Sequence, residues 1–438
     1  MLVTETLRES LSGQALLLTG ASGFVGKAVL AQCLHELPEL RVTVLLRGAD
    51  PQGRLEQILA GDIFEGLDGS EVTALGGDLS DDDGLQGLGG IDVVIHCAAS
   101  VSFEQALDDS LDLNGKGPAR LLRALRAAGS DPYFVHVSTA YAAGQRTGLV
   151  LERPSGTAPS EPDIDLDAEL DAARAWRRDL ESESRLPLHQ RRFGHEARRA
   201  VGPAGGPAIG ARGEALRRDW VRDQLTERGR GRARSLGWTD TYGLSKAVGE
   251  RRLMAERPRA LTIVRPAIVE SALRTPYPGW LESLKVADPI LLAYGAGLIG
   301  GRFAANRSIR MDIVPVDMVA NACLTAAGHP PEDGATRTLN VVSGSRNPLT
   351  VDRMAELVTR YFRERPLPGE DGLPVAVPEW RLSSHARITG TIDRATRLLD
   401  SGRDFVDRVP LPRTDTIELK LHKAQRRLDR IRRLSEIY

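Results

Sequence analysis

Short apolar runs alternate with longer mixed stretches in the first third of the chain and again near residue 260. Apolar runs bounded by turn residues are typical of strands buried on both faces of a parallel sheet. The pattern predicts strands at 15–19, 41–46, 72–75, 91–96, 133–137 and 261–264, and a helix at 25–37 that stops before Pro38. Strands that alternate with helices indicate an α/β fold built on a doubly wound parallel sheet.

Composition supports an ordinary folded chain. Of the 438 residues 41% are apolar and 27% are charged, and the net charge of -1 gives no overall attraction to nucleic acid or to an anionic membrane. The three cysteines, Cys33, Cys97 and Cys323, form no CxxC pair, which argues against a disulfide scaffold or a zinc site, and no metal is expected. The longest apolar stretch, 289–301, is shorter than the roughly 20 residues of a membrane-spanning helix.

A glycine-rich turn follows the first predicted strand. The motif TGASGFVG occupies residues 19–26, between a strand and a helix. Such a turn directs backbone N–H groups and a helix N-terminus at a bound pyrophosphate, and its glycines let the phosphates approach closely. A P-loop is excluded, because Ala21 stands where that loop needs glycine and Ala28 replaces its Ser/Thr. The predicted sheet is therefore Rossmann-like, with a dinucleotide bound by Gly20, Ser22, Gly23, Phe24, Val25 and Gly26.

Further cofactor-binding residues are predicted at the carboxyl ends of the next strands, the edge where open α/β sheets bind ligands. Arg47 stands where an NAD-preferring site presents an acid, and a guanidinium suits the 2′-phosphate of NADPH. Asp78, followed by Leu79, would accept a hydrogen bond from the adenine amine. The small residues Cys97, Ala98 and Ala99 would leave room for the cofactor.

The motif YGLSK at 242–246 supplies candidate chemistry. Its YxxxK spacing places Tyr242 and Lys246 on one face of a helix, one turn apart. We expect the ammonium to lower the pKa of the phenol and so allow acid–base catalysis near neutral pH. Ser138 and Thr139 at the end of the fifth predicted strand, with Asn114 on the preceding helix, complete a tetrad of Asn, Ser or Thr, Tyr and Lys. The chain contains neither a GxSxG elbow nor an HExxH motif, so serine hydrolase and zinc protease readings have no support.

These residues resemble the extended short-chain dehydrogenase/reductase family and, within it, the fatty acyl-CoA reductases, over about residues 12–350. The segments that carry the resemblance are TGASGFVGK (19–27), HCAASVSF (96–103), FVHVSTAYAAG (134–144), GWTDTYGLSKAVGE (237–250), VRPAIVESALRTPYPGW (264–280) and DIVPVDMV (312–319). The resemblance implies that Tyr242, Lys246 and Thr139 are catalytic, with Ser138 as the alternate hydroxyl. It also places Tyr242, Lys246, Pro266 and Ile268 among the cofactor-binding residues.

The domain organisation follows from breaks in the pattern. We interpret 1–147 as the first part of an NADP-binding Rossmann core and 148–236, where acidic and Arg-rich stretches replace the strands, as an inserted substrate or lid region. Residues 237–345 would complete the core, and 346–438 would form a smaller, mainly helical C-terminal region that includes a helix at 351–362. The segment 416–438 has apolar residues at helical spacing among basic ones, which suits docking on protein or contact with a membrane surface. The chain ends where the resemblance leads us to expect the family's C-terminal domain to continue, so we expect either a truncated or shortened form or a different mode of substrate closure and membrane association.

The resemblance implies NADPH-dependent reduction of a long-chain fatty acyl-CoA to a fatty alcohol through an aldehyde, in lipid or wax ester metabolism. An aldehyde-releasing reductase, an extended short-chain dehydrogenase or epimerase acting on a sterol or sugar nucleotide, and a non-catalytic cofactor-binding redox sensor stay open. The carrier would be CoA or acyl carrier protein, and the expected location is cytoplasmic, with peripheral membrane contact as an alternative. By composition the candidates for an acyl groove are Trp280, Leu284, Ile290, Leu291 and Leu292, although such residues more often belong to the core. Arg-rich positions of the insertion, Arg191, Arg192, Arg198, Arg199, Arg217 and Arg218, either contact CoA phosphates or form a solvated face.

Overall fold

The computed structural model describes residues 6–81, 84–158, 161–202, 205–282, 288–369 and 371–383. The chain divides into two compact units. The first comprises the described residues up to Glu282 together with Ile313–Val342, and the second comprises the described residues of 283–312 and 343–438. Residues 416–438, predicted to form an amphipathic helix, and Leu284 lie outside the described residues.

A seven-stranded parallel sheet forms the centre of the first unit. Its strands lie in the order β11-β6-β5-β4-β1-β2-β3. In chain order these are β1 (Ala15–Thr19), β2 (Arg41–Leu46), β3 (Thr73–Gly76), β4 (Val93–His96), β5 (Tyr133–Val137), β6 (Leu261–Pro266) and β11 (Thr336–Val341). The strand order reverses between β1 and β4, where α/β sheets of this kind bind ligands beyond the carboxyl ends of the strands. The predicted fold class and six predicted strands are confirmed, while β11 was missed.

Helices cover both faces of this sheet. Leu16 and Leu18 of β1 face the core beneath α2 (Phe24–Glu36) and α11 (Val316–Gly328), whereas Leu17 faces the opposite core with α5 (Gly117–Ala127) and α9 (Thr241–Ala255). Alternate side chains of one strand thus enter different cores, so the strand is apolar along its length. The shorter helices are α1 (Leu7–Leu11), α3 (Pro51–Leu59) and α4 (Leu107–Ser110), and a separate pair of strands joins β7 (Ile268–Glu270) to β10 (Ile313–Pro315).

Residues 148–236 contribute three helices to the first unit: α6 (Leu166–Glu183), α7 (Pro187–Val201) and α8 (Gly206–Ser235). They add no strand to the seven-stranded sheet. Helix α6 is tied to α4 by Arg177, whose guanidinium binds Asp108 and Asp109. Helix α7 packs its Phe193 side against α8.

The second unit contains α10 (Asp288–Gly295) and α12 (Val351–Glu364), and the helix predicted at 351–362 is confirmed. Its short strands are β8 (Arg302–Ala304), β9 (Arg310–Met311), β12 (Leu349–Thr350) and β13 (Arg381–Ser383), paired as β8 with β13 and β9 with β12. Tyr294 is fully buried among Phe303, Phe362 and Trp380. Within the described residues, no helix combines the length and the apolar character needed to cross a membrane.

Candidate active site

The glycine turn joins β1 directly to α2. Gly20 has a φ of +75°, and a Cβ there would lie 2.7 Å from the backbone of Cys97 and Ala98. A Cβ on Gly26 would lie 2.1 Å from the carbonyl oxygen of Gly20. Glycine is therefore required at both positions, once for the backbone conformation and once for the contact between helix and turn.

The residues of this turn fit a dinucleotide. Helix α2 begins after Gly23 without any side-chain cap, so its first-turn N–H groups keep their capacity to bind an anion. Ser22 and Gly23 are exposed, whereas Phe24 is buried and packs its ring against Trp280 at a tilt of 41°, with 5.1 Å between ring centroids. Phe24 therefore offers the site its backbone and not its ring.

The ends of β2 and β3 place opposite charges near each other. Arg47 is exposed after β2, while the nearby Asp50 caps α3 by accepting a hydrogen bond of 2.9 Å from the Gly53 amide. Asp78 follows β3 and accepts hydrogen bonds from the Ser80 amide and hydroxyl. Burial raises the pKa of Asp78, but those bonds and the charge of Arg47 outweigh it and lower the pKa. Asp50, the acid that would compete with Arg47 for a ribose, is thus engaged in capping α3.

Tyr242 and Lys246 lie on α9, which Asp240 caps by accepting a hydrogen bond of 2.8 Å from the Gly243 amide. Lys246 is 2% exposed, and its Nζ donates to the carbonyl oxygen of Val137 at the end of β5, 2.7 Å away. Burial lowers the pKa of Lys246 to about 8.

The expected lowering of the Tyr242 pKa by Lys246 is wrong for this structure. Burial raises the pKa of Tyr242 to about 12, and only a hydrogen bond to Thr139 acts in the opposite direction. Electrostatic interactions with Asp240 and Tyr141 raise the pKa of Tyr242 further. Lys246 is not among the groups that shift the pKa of Tyr242, and its ammonium donates to the Val137 carbonyl oxygen. The phenol is consequently protonated at neutral pH and is suited to donating a proton.

Two buried hydroxyls follow β5 beside the phenol. Thr139 is 3% exposed, accepts a hydrogen bond of 3.2 Å from the Tyr141 amide and interacts with Tyr242. Ser138 is equally buried, and its Oγ has no hydrogen-bond partner among the described residues. An unpaired buried hydroxyl is costly unless a ligand uses it, so Ser138 is a second candidate donor.

Asn114 lies in a π-helical turn, Leu111–Lys116, between α4 and α5. Its Nδ2 donates to the Ser100 carbonyl (2.9 Å) and to the Ser245 hydroxyl (3.0 Å), and its Oδ1 accepts from the Ser100 amide (2.9 Å). A Cβ on Gly249 would lie 2.2 Å from the Asn114 carbonyl oxygen, so glycine lets α9 approach this turn. Asn114 thus joins the 96–103 segment to the helix that carries Tyr242, and both hydrogens of its amide are already engaged.

Sequence reasoning did not single out Ser100, Phe103, Ser245, Gly249 or Glu250 as site residues. Phe103 places its ring edge-on to Tyr242, with 5.5 Å between centroids. All five stand inside the two segments quoted for the resemblance, at 96–103 and 237–250. Their position within those segments was the available sequence signal for a role in the site. Their contacts could not be predicted, because residues such as Phe103 and Tyr242 meet although they lie far apart in sequence.

The described candidates for an acyl groove are divided between the two units. Trp280 is 4% exposed and belongs to the core of the first unit, the alternative expected for such residues. Leu291 and Leu292 line a cavity of about 580 Å³ in the second unit, together with Leu357, Val358 and Phe362. Of the Arg-rich positions, Arg217 is buried and binds Glu181 and Glu214, whereas the others are exposed.

The remaining predicted cofactor residues lie at the same edge of the sheet. Cys97, Ala98 and Ala99 follow β4, and the Ala98 amide donates to the Thr19 hydroxyl, 3.1 Å away. Pro266 ends β6, and Ile268 lies in the adjoining β7. Among the described residues there is no group of three or more His, Cys, Asp or Glu side chains able to hold a metal ion.

Comparison with known proteins places the chain in a family. A family model described as male sterility protein matches residues 18–323. The chain is 28% identical over 397 residues to fatty acyl-CoA reductase 1 of Arabidopsis thaliana, covering 84% of this chain and 74% of the relative. It is also 28% identical over 402 residues to the alcohol-forming fatty acyl-CoA reductase of Simmondsia chinensis, covering 85% and 75%.

Among solved structures, the chain is similar to the reductase domain of a nonribosomal peptide synthetase from Mycobacterium tuberculosis. The TM-score is 0.52 at 17% identity, with 92% of this chain and 81% of that chain covered. At this identity the likeness concerns the fold. The family match and the glycine turn together indicate a nicotinamide cofactor.

Proposed function

Because this chain belongs to the male sterility protein family, we propose that it reduces long-chain fatty acyl thioesters with NADPH and forms primary alcohols. The observation that carries the proposal is the arrangement of Tyr242 and Lys246 on α9 beside Thr139, at the same sheet edge as the glycine turn. Relatives named fatty acyl-CoA reductases, one of them alcohol-forming, support the substrate class and the product.

NADPH would be held mainly at the carboxyl ends of β1, β2 and β3. The glycine turn and the start of α2 would bind the pyrophosphate, and Asp78 would face the adenine. Arg47 supports NADPH over NADH, because it is exposed after β2 while Asp50 is engaged in capping α3. Lys246 would bind the nicotinamide ribose with the N–H groups that do not contact Val137.

When bound, NADPH supplies a hydride to the carbonyl carbon of the substrate. Thr139, Ser138 and Tyr242 would donate hydrogen bonds to the oxygen on which negative charge develops. Tyr242 would then transfer its proton to that oxygen, giving a hemithioacetal. Loss of the thiolate, with return of the hydroxyl proton to Tyr242, leaves an aldehyde.

The same residues would serve a second reduction. The aldehyde oxygen would occupy the position of the thioester oxygen, and Tyr242 would protonate it after transfer of a second hydride. Two equivalents of NADPH are thus consumed for each thiol released and each alcohol formed. Tyr242 is protonated at neutral pH, as both steps require before hydride transfer.

Asn114 would support the return of the proton to Tyr242. Both hydrogens of its amide bind Ser100 and Ser245, so the relay water predicted at Asn114 would use the remaining lone pair of Oδ1. We place the substrate region in 148–236, whose helices pack against α4 and α9, and CoA is the carrier to test first.

The proposal is tested by incubating the protein with NADPH and palmitoyl-CoA and identifying the lipid products by gas chromatography. Hexadecanol as the main product is expected. Accumulation of hexadecanal would identify an aldehyde-releasing reductase instead. Turnover of palmitoyl-acyl carrier protein but not palmitoyl-CoA would change the carrier, and no lipid product from either would redirect attention to sterol or sugar nucleotide alcohols.

A further inference from the structure

Lys246 is a buried cation that needs a compensating charge. A buried ammonium is costly unless an anion or several acceptors face it, and Lys246 makes one hydrogen bond among the described residues. Four titratable groups act on it or are acted on by it: His96 and Cys97 at the end of β4, His136 on β5, and Glu250 on α9 itself.

Three of these four groups are neutral near pH 7. Burial lowers the pKa of His96 to about 3 and holds that of His136 well below its ordinary value. Burial also raises the pKa of the Cys97 thiol to about 12. Glu250 is therefore the only anion within this set, and its charge raises the pKa of Lys246 against the effect of burial.

Glu250 is firmly held one helical turn after Lys246. Its side chain is fully buried, and Arg265 of β6 binds both carboxylate oxygens, with 2.8 Å between Nε and Oε1. The Ser155 hydroxyl donates to Oε2 at 2.6 Å and accepts from Arg265 at 2.9 Å. Arg265 also donates to the carbonyl oxygen of Arg153, 2.9 Å away.

We propose that Glu250 is a positioning residue that keeps Lys246 in its charged form and locks α9 to β6 and to the 153–155 segment. The inference rests on the proposed function, in which Lys246 must carry a positive charge beside the nicotinamide ribose. An ion pair that served only to hold the fold together would leave the titration of Lys246 unchanged when the carboxylate is replaced by an amide. A positioning role and a purely structural role of Glu250 therefore predict different titration midpoints for Lys246.

The protonation of Lys246 can be measured directly by NMR, because the chain contains only six lysines. These are Lys27, Lys116, Lys246, Lys285, Lys420 and Lys423. With 13Cε-labelled lysine, each side chain gives a separate NMR signal whose shift follows its protonation, and Lys246→Met assigns the signal of interest. In Glu250→Gln we expect the titration midpoint of Lys246 to fall by about one pH unit or more. Glu250→Asp, which keeps the charge, should restore a midpoint close to that of the wild type.

Glu161→Gln is the matched control. Glu161 also pairs with arginines, Arg146 and Arg251, but its charge is not among those that act on Lys246. Its substitution should leave the midpoint unchanged. A Lys246 midpoint in Glu250→Gln equal to that in Glu161→Gln would overturn the proposal.

Glu250→Gln leaves Arg265 without its carboxylate and is at risk of unfolding. The double variant Glu250→Gln/Arg265→Met removes both charges, and replacement of a whole buried ion pair is often tolerated. The carboxylate acts on Lys246, while loss of the neighbouring Arg265 charge works in the opposite direction, so the midpoint should fall in the double variant but by less than in Glu250→Gln. An unchanged midpoint there would also overturn the proposal.

The NMR titration needs neither substrate nor turnover. A shifted midpoint in a protein that does not reduce palmitoyl-CoA would uphold the role of Glu250 and reject the proposed substrate. In the active enzyme, the loss of kcat/KM at alkaline pH should begin at lower pH in Glu250→Gln than in Glu161→Gln.

Discussion

The two sides of the sheet's carboxyl edge are built in different ways. Beside β1, the backbone dominates, since Gly20 and Gly26 allow contacts that a single Cβ would block. Beside β5 and β6, buried side chains dominate, with Lys246, Glu250 and Arg265 each at most 3% exposed. The first side is suited to holding phosphates, and the second is suited to holding charges and hydroxyls around a reacting carbonyl.

Each side of the sheet edge is therefore sensitive to a different kind of substitution. A backbone cradle fails when volume is added, because the clash is with main-chain atoms that cannot move away. A buried polar network fails when a charge or hydroxyl is removed, because its partners stay buried without compensation. Substitutions beside β1 should consequently change mainly NADPH binding, whereas substitutions beside β5 and β6 should change mainly the rate of reduction.

The largest effect is expected for Tyr242→Phe. The substitution removes the proton donor while keeping the ring that packs against Phe103. We expect kcat to fall by about 10²- to 10⁴-fold. The Kd for NADPH, followed by fluorescence titration, should change little. Weakened NADPH binding with unchanged kcat would place Tyr242 in the cofactor site and break the distinction between the two sides.

Lys246→Met should cost activity but increase stability. Burial lowers the pKa of Lys246 from 10.5 to about 8, so the unfolded chain binds more protons between those pH values and stability rises with pH across that window. Below about pH 8 the cost of the buried charge is fully present. Replacing Lys246 should therefore raise the free energy of unfolding at pH 7 by about 2–3 kcal/mol.

Urea unfolding across pH 7 to 10 measures this prediction for Lys246→Met. The difference from the wild type should shrink as the pH rises above about 8. A variant that is less stable than the wild type at pH 7 would mean that the contact with Val137 outweighs the cost of burial.

Gly26→Ala should damage the backbone side. The added methyl meets the carbonyl oxygen of Gly20, which forces the turn away from α2. We expect a loss of about 1–3 kcal/mol in stability and weaker NADPH binding. Gly231→Ala on α8 is the control, since nothing lies within 4 Å of its Cβ, and a helical alanine should stabilise slightly. Equal thermal melting of the two variants would contradict this account of the turn.

The smallest effect is expected for Arg47→Ala. Loss of a charged hydrogen-bond donor to the 2′-phosphate should raise the KM for NADPH about tenfold or more and leave that for NADH nearly unchanged. Steady-state kinetics with the two cofactors provide the ratio. Identical changes for both cofactors would remove Arg47 from phosphate recognition.

The two sides also differed in how far they could be predicted from sequence. The glycine turn was predictable because residues 19–26 are contiguous and the constraint on each glycine is local. Strand β11 was missed because it pairs with β6 through a polar, half-buried sequence, Thr336–Val341, without a continuous apolar run.

On the other side, the YxxxK motif predicted which residues stand on one helix face but not the charges around them. Glu250 and Arg265 meet Ser155 across more than 90 residues of sequence, and Asn114 meets Ser245 across 131. The expected influence of Lys246 on Tyr242 failed for the same reason. The direction of the ammonium is set by Val137 on a distant strand, which helix spacing does not reveal.

The most direct test of the account is the number of NADPH molecules oxidised per thiol released from palmitoyl-CoA, measured with the wild type and with Tyr242→Phe. We expect a ratio near two for the wild type, with both rates lost together in the variant. A ratio near one would contradict the second reduction. Thiol release that continues in Tyr242→Phe without NADPH oxidation would contradict the central claim that the buried side of the sheet edge performs the reduction.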